Sequence, residues 1–180
     1  MGGRGRIPTY CSTRCRVAAH RARNAAPKAL RDRARWVRRS AKKVPLQTSY
    51  RVASSTDPAT WTTYARAKRS KAGVGLGFVL NGDGIVCVDL DHCVEDGKVA
   101  SWAREILDRM PSTYVEVSPS GTGLHVFGLG DVPVGRKIRR PDGARIEVYG
   151  TGRFIAVTGS RFEGAPSRLA DLSAALADLI

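Results

Sequence analysis

The stretch Ile85-Val86-Cys87-Val88-Asp89-Leu90-Asp91 decides how this chain folds and where its chemistry lies. Its apolar run predicts a buried strand. Side chains on a strand alternate between two faces, so Asp89 and Asp91 project from the same face. Two carboxylates at that spacing repel each other unless a cation lies between them, and Mg²⁺ or Mn²⁺ suits such ligands. The stretch therefore predicts a strand that ends in a metal site; the alternative is a strand end that passes into a polar loop.

Further strands and helices are predicted on both sides of this stretch. Apolar patterns predict strands over residues 73–80, 85–90, 113–118, 124–129, 145–149 and 153–158. Helical periodicity and capping residues predict helices over residues 12–23, 28–43, 57–68, 99–110 and 167–180, and residues 131–143 are predicted as a loop. The turns at 81–84 and 150–152 predict hairpins between the strands that flank them. Hairpins mixed with helices favour an α+β fold with helices on one face of a sheet.

The positive charge is concentrated at the beginning of the chain. The 180 residues carry 30 Lys and Arg against 16 Asp and Glu, a formal net charge of +14. Residues 1–43 hold 14 of the basic residues and one acid, Asp32. Such a segment attracts polyanions, so nucleic acid is the predicted partner; the alternatives are a solvated tail or a contact with a ribosome or a membrane surface. The basic residues expected to contact nucleic acid are Arg35, Arg38, Arg39, Arg139 and Arg140.

The composition excludes several classes of protein. Collagen, coiled coils and wholly disordered chains have other residue contents. No run of 18 apolar residues predicts a transmembrane helix, and the first 30 residues lack the apolar segment of a secretory signal. The four cysteines are too few for a disulfide framework. We therefore expect a cytoplasmic protein without a membrane partner.

A turn of small residues at 118–123, Ser-Pro-Ser-Gly-Thr-Gly, lies between two predicted strands. Its backbone N–H groups and hydroxyls can bind a phosphate. His125 follows as the second residue of the next strand, where its imidazole can donate a hydrogen bond to a phosphate oxygen. The alternative is an ordinary hairpin with a histidine in the core or at its edge.

The predicted strand 145–149 carries one acid, Glu147. Glu147 alternates with apolar neighbours, so it either faces solvent or completes a three-carboxylate site with the two aspartates. Lys137 and Arg153 flank it and can neutralise a triphosphate or a template backbone. Three acids together with such cations favour phosphoryl transfer with two metal ions.

Three segments in this order resemble the motifs of the bifunctional DNA primase-polymerase N-terminal domain of phages and plasmids, which belongs to the archaeo-eukaryotic primase superfamily. They are residues 86–92, the run SPSGTGLHVFG at 118–128 and the run RIEVYGTGRFIAVTG at 145–159. The upstream runs KVP at 43–45 and GLGF at 75–78 also match the usual N-terminal half of that domain. The resemblance covers about residues 30–160.

This resemblance implies a fold, a reaction and the residues that carry it. The implied fold is an RRM-like mixed or antiparallel sheet with helices, packed against a smaller N-terminal α/β unit, with the active cleft between them. The implied reaction is template-directed nucleotidyl transfer, as DNA primase, DNA polymerase or both. The implied catalytic residues, which would also bind two Mg²⁺ or Mn²⁺ ions, are Asp89, Asp91 and Glu147; many relatives have aspartate at the third position. The residues expected to bind the nucleotide are Ser120, Gly121, His125, Lys137 and Arg153.

The partners that follow from the resemblance are a single-stranded DNA template or primer and an NTP or dNTP. Because family members often continue into a helicase domain, a separate replicative helicase is a further expected partner. The expected setting is phage or plasmid replication in the cytoplasm of a bacterial host.

The N-terminal segment carries a Cys-x3-Cys pattern at Cys11 and Cys15, followed by His20. It resembles the second half of a small zinc-binding module of actinobacterial proteins. Structural zinc takes four ligands, and the earlier cysteine pair of that module has no counterpart here, so the alternative is two reduced thiols on a basic helix. We divide the chain into a basic arm, residues 1–27, and a catalytic domain, residues 28–180.

Two other functions are open at this stage. One is a non-catalytic RRM-like module that binds nucleic acid with its sheet and the basic arm, although the strands offer few aromatics for base stacking. The other is a metal-dependent nuclease or rolling-circle initiator. Such initiators need a His-hydrophobic-His pair, and no second histidine lies near His125 in the sequence.

Overall fold

The computed structural model describes residue 12, residues 14–15 and residues 25–180. Its strands are, in chain order, β1 (Trp36–Arg39), β2 (Pro45–Leu46), β3 (Gly75–Asn81), β4 (Ile85–Asp91), β5 (Val94–Glu95), β6 (Lys98–Val99), β7 (Tyr114–Val117), β8 (Leu124–Leu129), β9 (Arg136–Arg139), β10 (Arg145–Tyr149) and β11 (Thr151–Val157). The α-helices of residues 25–180 are α1 (Lys28–Arg31), α2 (Tyr64–Arg69), α3 (Ser101–Arg109) and α4 (Ser173–Leu179), and Pro58–Thr60 forms a 3₁₀ turn.

Two antiparallel sheets carry the fold. Sheet A has the strand order β11-β3-β1-β2, sheet B has the order β7-β8-β4-β10-β9, and β5 and β6 form a separate ribbon. The predicted α+β class is confirmed. The smaller sheet A is not purely N-terminal, because β11 enters it from the far end of the chain.

One face of sheet A packs against one face of sheet B. Trp36 and Phe78 from sheet A lie in the same buried cluster as Cys87, Tyr114 and Phe127 from sheet B. The rings of Trp36 and Phe78 meet edge to face, with centroids 5.2 Å apart. Large aromatic side chains contribute a large share of the buried apolar area in a core of this size, so the burial of aromatics from both sheets in one cluster holds the two sheets together.

Helices cover the opposite face of sheet B. Trp102 and Ile106 of α3 and Leu176 of α4 belong to a second buried cluster. The even-numbered residues of β4 reach the same cluster, as the strand period requires. Sheet B is therefore covered on both faces, which explains why its central strand is apolar almost throughout.

The odd-numbered residues of β4 lie on one face of the strand, which is buried at one end and exposed to a cleft at the other. Ile85 and Cys87 are buried between the two sheets. Asp89 and Asp91 continue the same face but are only half-buried. A cleft is lined by residues of both sheets beside Asp89, so the face that is core at one end of β4 becomes the wall of a cleft at the other.

Both predicted hairpins are wrong in their pairing. The turn at 81–84 joins β3 to β4, yet β3 pairs with β1 and β11, and β4 pairs with β8 and β10. The turn at 150–152 likewise passes the chain from β10 in sheet B to β11 in sheet A. The N–H of Gly82 donates to the carbonyl of Gly150 at 2.9 Å, so the two crossings are bonded to each other. The apolar sequences of β3 and β4 fit this arrangement, because residues of each strand are buried on both of its faces.

The helix predicted over residues 28–43 is wrong beyond Arg31. β1 follows at Trp36 and pairs with β3. Trp36 and Val37 are adjacent in sequence and both buried, Trp36 between the sheets and Val37 in a cluster on the other face of sheet A. Burial of neighbouring residues on opposite faces is a property of a central strand, and strand pairing here outweighs the helix propensity of Arg and Ala.

Three other predicted boundaries also differ: residues 57–68 form the 3₁₀ turn and α2 instead of one helix, residues 131–143 contain β9, and α4 begins at Ser173 rather than at 167. The break before α2 has a clear cause. Thr62 and Trp36 exchange two backbone hydrogen bonds of 2.9 and 2.8 Å, which hold this segment extended. β9 was not predicted because it is a largely exposed edge strand without apolar alternation.

The predicted helix over residues 12–23 falls mostly outside the described residues. Within them, the N–H of Cys15 donates to the hydroxyl of Ser12 at 3.1 Å, the bond expected of a helix N-cap. The division of the chain at residue 27 stays a prediction. No helix in the described part of the chain has the length and apolar content needed to cross a membrane.

Candidate active site

A row of charged side chains crosses sheet B at one level. From β7 to β9, the residues that lie directly opposite one another in the antiparallel register are Glu116, His125, Asp89, Glu147 and Lys137. Directly opposed residues project from the same face, with Cβ atoms about 4.5–5.5 Å apart. Register alone therefore brings together acids, an imidazole and an ammonium group from five different strands.

Asp89, Asp91 and Glu147 bring their carboxylates together. One oxygen from each lies within 4.8 Å of the others. Burial raises the pKa of Asp89, and the two neighbouring acids add to the shift against the opposing charge of His125. A cation among these oxygens would remove that repulsion.

The donor set fits a hard divalent cation. Asp89 Oδ1 is buried and accepts no hydrogen bond from any residue that the structure describes. A buried carboxylate oxygen without a donor is costly, and an ion satisfies it. Carboxylate oxygens are the ligands that Mg²⁺ and Mn²⁺ take, with water and phosphate oxygens completing the shell. The three acids can thus hold metal.

Glu147 is held by cations and a phenol. Lys137 Nζ lies 2.6 Å from its Oε1, and the hydroxyl of Tyr149 donates to its Oε2 at 2.6 Å. Arg153 lies 3.6 Å from the same Oε2. Burial alone would raise the pKa of Glu147, but the hydrogen bonds from Lys137 and Tyr149 and the nearby positive charges outweigh it, so the net pKa is lowered. Glu147 is therefore charged and oriented for a ligand role.

His125 is buried and held from two sides. Its Nδ1 lies 3.3 Å from Glu116 Oε1, and its Nε2 lies 3.7 Å from Asp89 Oδ1. Burial alone would lower the pKa of His125, but the bond with Glu116 and the charge of Asp89 outweigh it, and the net pKa is raised. This geometry directs Nε2 toward the acids while Nδ1 is occupied.

Glu116 is fully buried and its carboxylate is saturated with donors. Besides His125, it accepts the N–H of Thr158 at 3.0 Å, the hydroxyl of Tyr114 at 2.7 Å and the N–H of Gly159 at 2.9 Å. These bonds offset the cost of burying the charge. Thr158 and Gly159 follow β11, so Glu116 also ties sheet A to sheet B beside the acid cluster.

The cleft beside the acids has a volume of about 330 Å³. Sheet B contributes Asp89 and His125 to its wall. The other lining residues are Lys43, Pro45, Ser55, Pro119, Gly152, Arg153, Phe154, Ile155 and Ala156. Lys43 and Arg153 supply positive charge on the side of sheet A. Acids at one wall and cations at the other suit a polyphosphate that is bound together with divalent ions.

The turn between β7 and β8 borders this cleft. Ser120 lies at its exposed tip, with Oγ 3.0 Å from Ser118 Oγ and 2.9 Å from Thr122 Oγ1. Gly121 adopts a φ of +80°, a conformation that favours glycine. Among the described residues, Pro119 of this turn lines the cleft, whereas Ser120 and Gly121 do not. Their predicted contact with a nucleotide stays a prediction.

The N-terminal arginines predicted to contact nucleic acid are engaged within the protein. Arg35 is buried and its Nη2 lies 2.8 Å from the carboxylate of Asp83. Arg38 is half-buried and donates from Nε to the carbonyl of Ala72 at 2.6 Å. Arg39 is half-buried too; its Nη1 donates to the carbonyl of Ser40 at 3.5 Å, while its Nε has no hydrogen-bond partner in the described structure.

Of the two later arginines, Arg139 is exposed on β9, and Arg140 forms a salt bridge within its own loop. Of the predicted zinc ligands, Cys15 is half-buried, while Cys11 and His20 lie outside the described residues. Zinc binding therefore stays a prediction.

Three residues of the site carry no role in the sequence-based prediction. Lys43 belongs to the KVP run but the fold, not the pattern, places it at the cleft. Tyr149 looks like a core residue, and its hydroxyl bond to Glu147 depends on side-chain geometry. Glu116 does leave a signal, because it is an acid at an inward position of an alternating strand, where a buried partner is required.

Comparison with known proteins adds to this geometry. Residues 9–179 match the family described as bifunctional DNA primase/polymerase, N-terminal. The chain is also similar to a DNA primase-polymerase of Nitratiruptor phage NrS-1, with 40% identity over 149 residues. That alignment covers 76% of this chain and 21% of the relative, so the chain spans about a fifth of the length of the phage protein.

Proposed function

Because this chain belongs to the family of bifunctional DNA primase/polymerase N-terminal domains, we propose that it transfers nucleotides to a primer 3′-hydroxyl, or to the hydroxyl of a first nucleotide, under the direction of a DNA template. The catalytic centre of this proposal is the acid cluster of Asp89, Asp91 and Glu147. The substrates are a single-stranded DNA template or primer and an NTP or dNTP.

One observation carries the proposal: three carboxylates from two strands converge within 4.8 Å beside a cleft that Lys43 and Arg153 line. Two divalent ions, Mg²⁺ or Mn²⁺, would supply charge neutralisation at the triphosphate and a lowered pKa of the attacking hydroxyl. The chemistry that remains for the protein is positioning and electrostatic stabilisation.

Each side chain of the site has a definite task in this proposal. Asp89, Asp91 and Glu147 provide the ligand oxygens. Lys43 and Arg153 bind phosphate oxygens of the incoming nucleotide from the side of sheet A. His125 donates from Nε2 toward the same phosphates, because its Nδ1 is already engaged.

Lys137 and Tyr149 have a supporting task. Their contacts with Glu147 fix the orientation of its carboxylate. A ligand that is oriented in advance loses less freedom when an ion binds, and such outer contacts affect metal affinity.

The non-catalytic RRM-like alternative is not favoured by the packing. Modules of that kind stack bases on aromatic side chains at an open sheet face. Tyr114, Phe127 and Tyr149 lie on the face of sheet B that packs against sheet A, and all three are buried. Bases therefore cannot reach them in this fold.

Primer synthesis and extension test the proposal. The full chain is incubated with single-stranded template, labelled nucleotides and Mn²⁺ or Mg²⁺, with and without an annealed primer. Asp89→Ala combined with Asp91→Ala is expected to abolish incorporation. A matched control, Asp108→Ala with Asp178→Ala, removes two exposed acids of α3 and α4 and is expected to leave it unchanged.

Two results would decide against the proposal. Full incorporation by the Asp89 and Asp91 variant would remove the acid cluster from the mechanism. Strand cleavage without incorporation would favour the nuclease alternative instead. A replicative helicase as partner, and replication in the cytoplasm of a phage- or plasmid-bearing host, remain part of the proposal and are not needed for this test.

A further inference from the structure

A second groove lies beside β2, away from the acid cluster. Its volume is about 360 Å³. The segment after β2 forms one wall, and α2 with the residues that follow it forms the other. The lining residues are Thr48, Tyr50, Arg66, Arg69, Ser70 and Lys71. We propose that this groove, which we name the α2 groove, binds the single-stranded template next to the nucleotide that is being copied; the inference rests on the proposed function.

The charge of the α2 groove is positive and uncompensated. Arg66, Arg69 and Lys71 are all exposed, and none forms a salt bridge with another residue of the described structure. Residues 33–81 contain eleven Lys and Arg but a single acid, Asp57. The carboxylate of Asp57 is occupied in capping the 3₁₀ turn. A free cluster of this kind attracts a phosphate backbone.

An aromatic ring stands at the rim of these cations. The side chain of Tyr50 is 64% exposed, and Val52 and Val74 are 66% and 63% exposed. Tyr50 also adopts a φ of +70°, an uncommon conformation for a bulky residue. The N–H of Tyr50 donates to the carbonyl of Gln47 at 3.2 Å, and the turn that this bond closes leaves the phenol ring in solvent beside the cations.

This combination fits a single strand better than a duplex. Proteins that hold single-stranded DNA join a positive groove along the backbone to aromatic side chains on which bases stack. In a duplex the base faces are covered by their neighbours, so Tyr50 would have no partner there. A protein partner with acidic side chains would use the cations but leave the exposed ring unexplained.

The position of the α2 groove supports a template rather than an unrelated strand. Pro45 and Ser55 line the catalytic cleft, whereas Thr48 and Tyr50 line the groove. The segment between them folds back on itself, with the N–H of Ala53 donating to the carbonyl of Pro45 at 2.9 Å. One short loop therefore has its base at the cleft and its tip at the groove. A strand whose base pairs with the nucleotide in the cleft would continue directly along this loop.

Two variants test the inference in the full chain. Binding is measured by fluorescence anisotropy with a short labelled oligodeoxynucleotide over a range of salt concentrations. Tyr50→Ala is expected to weaken binding about 5-fold or more, the change that corresponds to about 1 kcal/mol of lost stacking. Arg66→Gln with Arg69→Gln is expected to reduce the slope of log K against log salt by about 1.4, because each lost phosphate contact to a single strand contributes about 0.7.

A matched control separates the groove from the general charge of the chain. Arg109→Gln with Arg168→Gln removes two exposed arginines outside sheet A and is expected to leave both the affinity and the slope unchanged. The melting temperature of every variant is measured as well, to check that each one is folded.

The outcomes distinguish the groove from the proposed function. If the wild-type protein incorporates nucleotides but both groove variants bind the oligonucleotide as tightly as the control, the α2 groove proposal is overturned and the function stands. If the groove variants lose binding while the wild-type protein incorporates nothing, the groove binds DNA and the catalytic proposal fails. A stronger effect on duplex than on single strands would also overturn the groove proposal.

Discussion

Glu147 lies directly opposite Asp89 in the antiparallel pair of β10 and β4, and this register assembles the acid cluster. If β10 formed a hairpin with β11 inside sheet A, Glu147 would leave sheet B. The third carboxylate would then be separated from Asp91 by the contact between the sheets. The site therefore depends on β10 staying in sheet B while the chain passes to sheet A at 150–152, and the sequence of β10 alone does not indicate this crossing.

Replacement of Asp89 by asparagine is expected to stabilise the metal-free protein. Asp89→Asn removes a buried charge that its neighbours Asp91 and Glu147 repel, so the melting temperature in the presence of a chelator should rise. A gain on the order of 1 kcal/mol corresponds to about 2–4 °C for a chain of this size. Differential scanning fluorimetry measures the change.

The same variant is expected to lose the stabilisation that Mn²⁺ gives to the wild-type protein, because a ligand that binds the folded state stabilises it by mass action. Asp178→Asn, at an exposed position of α4, is the control and should retain the shift. A Mn²⁺ shift of unchanged size in Asp89→Asn would show that the ion binds elsewhere.

Glu116 is expected to affect catalysis by orienting His125, in addition to its effect on the stability of the fold. Glu116→Gln keeps the shape of the side chain but faces four donors with an amide, so the bond to His125 Nδ1 is weakened or lost. Loss of a hydrogen bond that orients a residue of the active site typically lowers activity about 10–100-fold, and we expect this decrease to appear in kcat. Steady-state nucleotide incorporation measures kcat and KM separately.

Tyr114→Phe provides the comparison, because it removes one donor to Glu116 and leaves His125 in place. Its expected cost is about 0.5–1.5 kcal/mol of stability with little change in kcat. The ¹⁵N resonances of the His125 ring should shift in Glu116→Gln and not in Tyr114→Phe. If the two variants change kcat and the His125 ¹⁵N resonances equally, Glu116 contributes only to the stability of the fold.

The sequence was sufficient for the parts of the site that depend on local geometry. Strand period places Asp89 and Asp91 on one face, and the structure has them there. It was not sufficient for the parts that depend on which strands meet. The opposition of Glu147 and Asp89, like the strand at Trp36 in place of a helix, follows from packing two sheets with apolar faces, and packing of this kind overrides local propensity.

Buried polar contacts form the second class that local patterns do not reveal. The alternation of β7 places Glu116 at an inward position, but its partners become visible only when the ends of β7 and β11 are placed together and Thr158 and Gly159 become its donors. Lys43 reads as part of a solvated basic run until the loop after it is folded against β11. In both cases a long-range contact gives the side chain its task.

The raised pKa of His125 makes the free energy of unfolding depend on pH in a specific way. Because its folded pKa lies above the unfolded value of about 6.5, the charged imidazole stabilises the fold fully below that pH, and the contribution is lost as the pH rises through the folded pKa. Denaturant unfolding of wild type and His125→Gln at a series of pH values measures it. The difference between them should be largest under acidic conditions and shrink as the pH increases; a difference that grows with pH would mean that His125 is neutral in the fold.

Two adjacent lysines test the wall of the cleft. Both lysines are exposed, but Lys43 lines the cleft, at a φ of +57°, whereas Lys42 does not. Lys43→Met removes a charged contact to the phosphates, so KM for the nucleotide is expected to rise about 10-fold or more with a smaller change in kcat, as hydrogen bonds to charged groups contribute about 1.5–3 kcal/mol. Lys42→Met carries the same change of charge and should leave KM as it is. Equal increases for both variants would mean that the general charge of the chain, and not a positioned ammonium group, attracts the nucleotide.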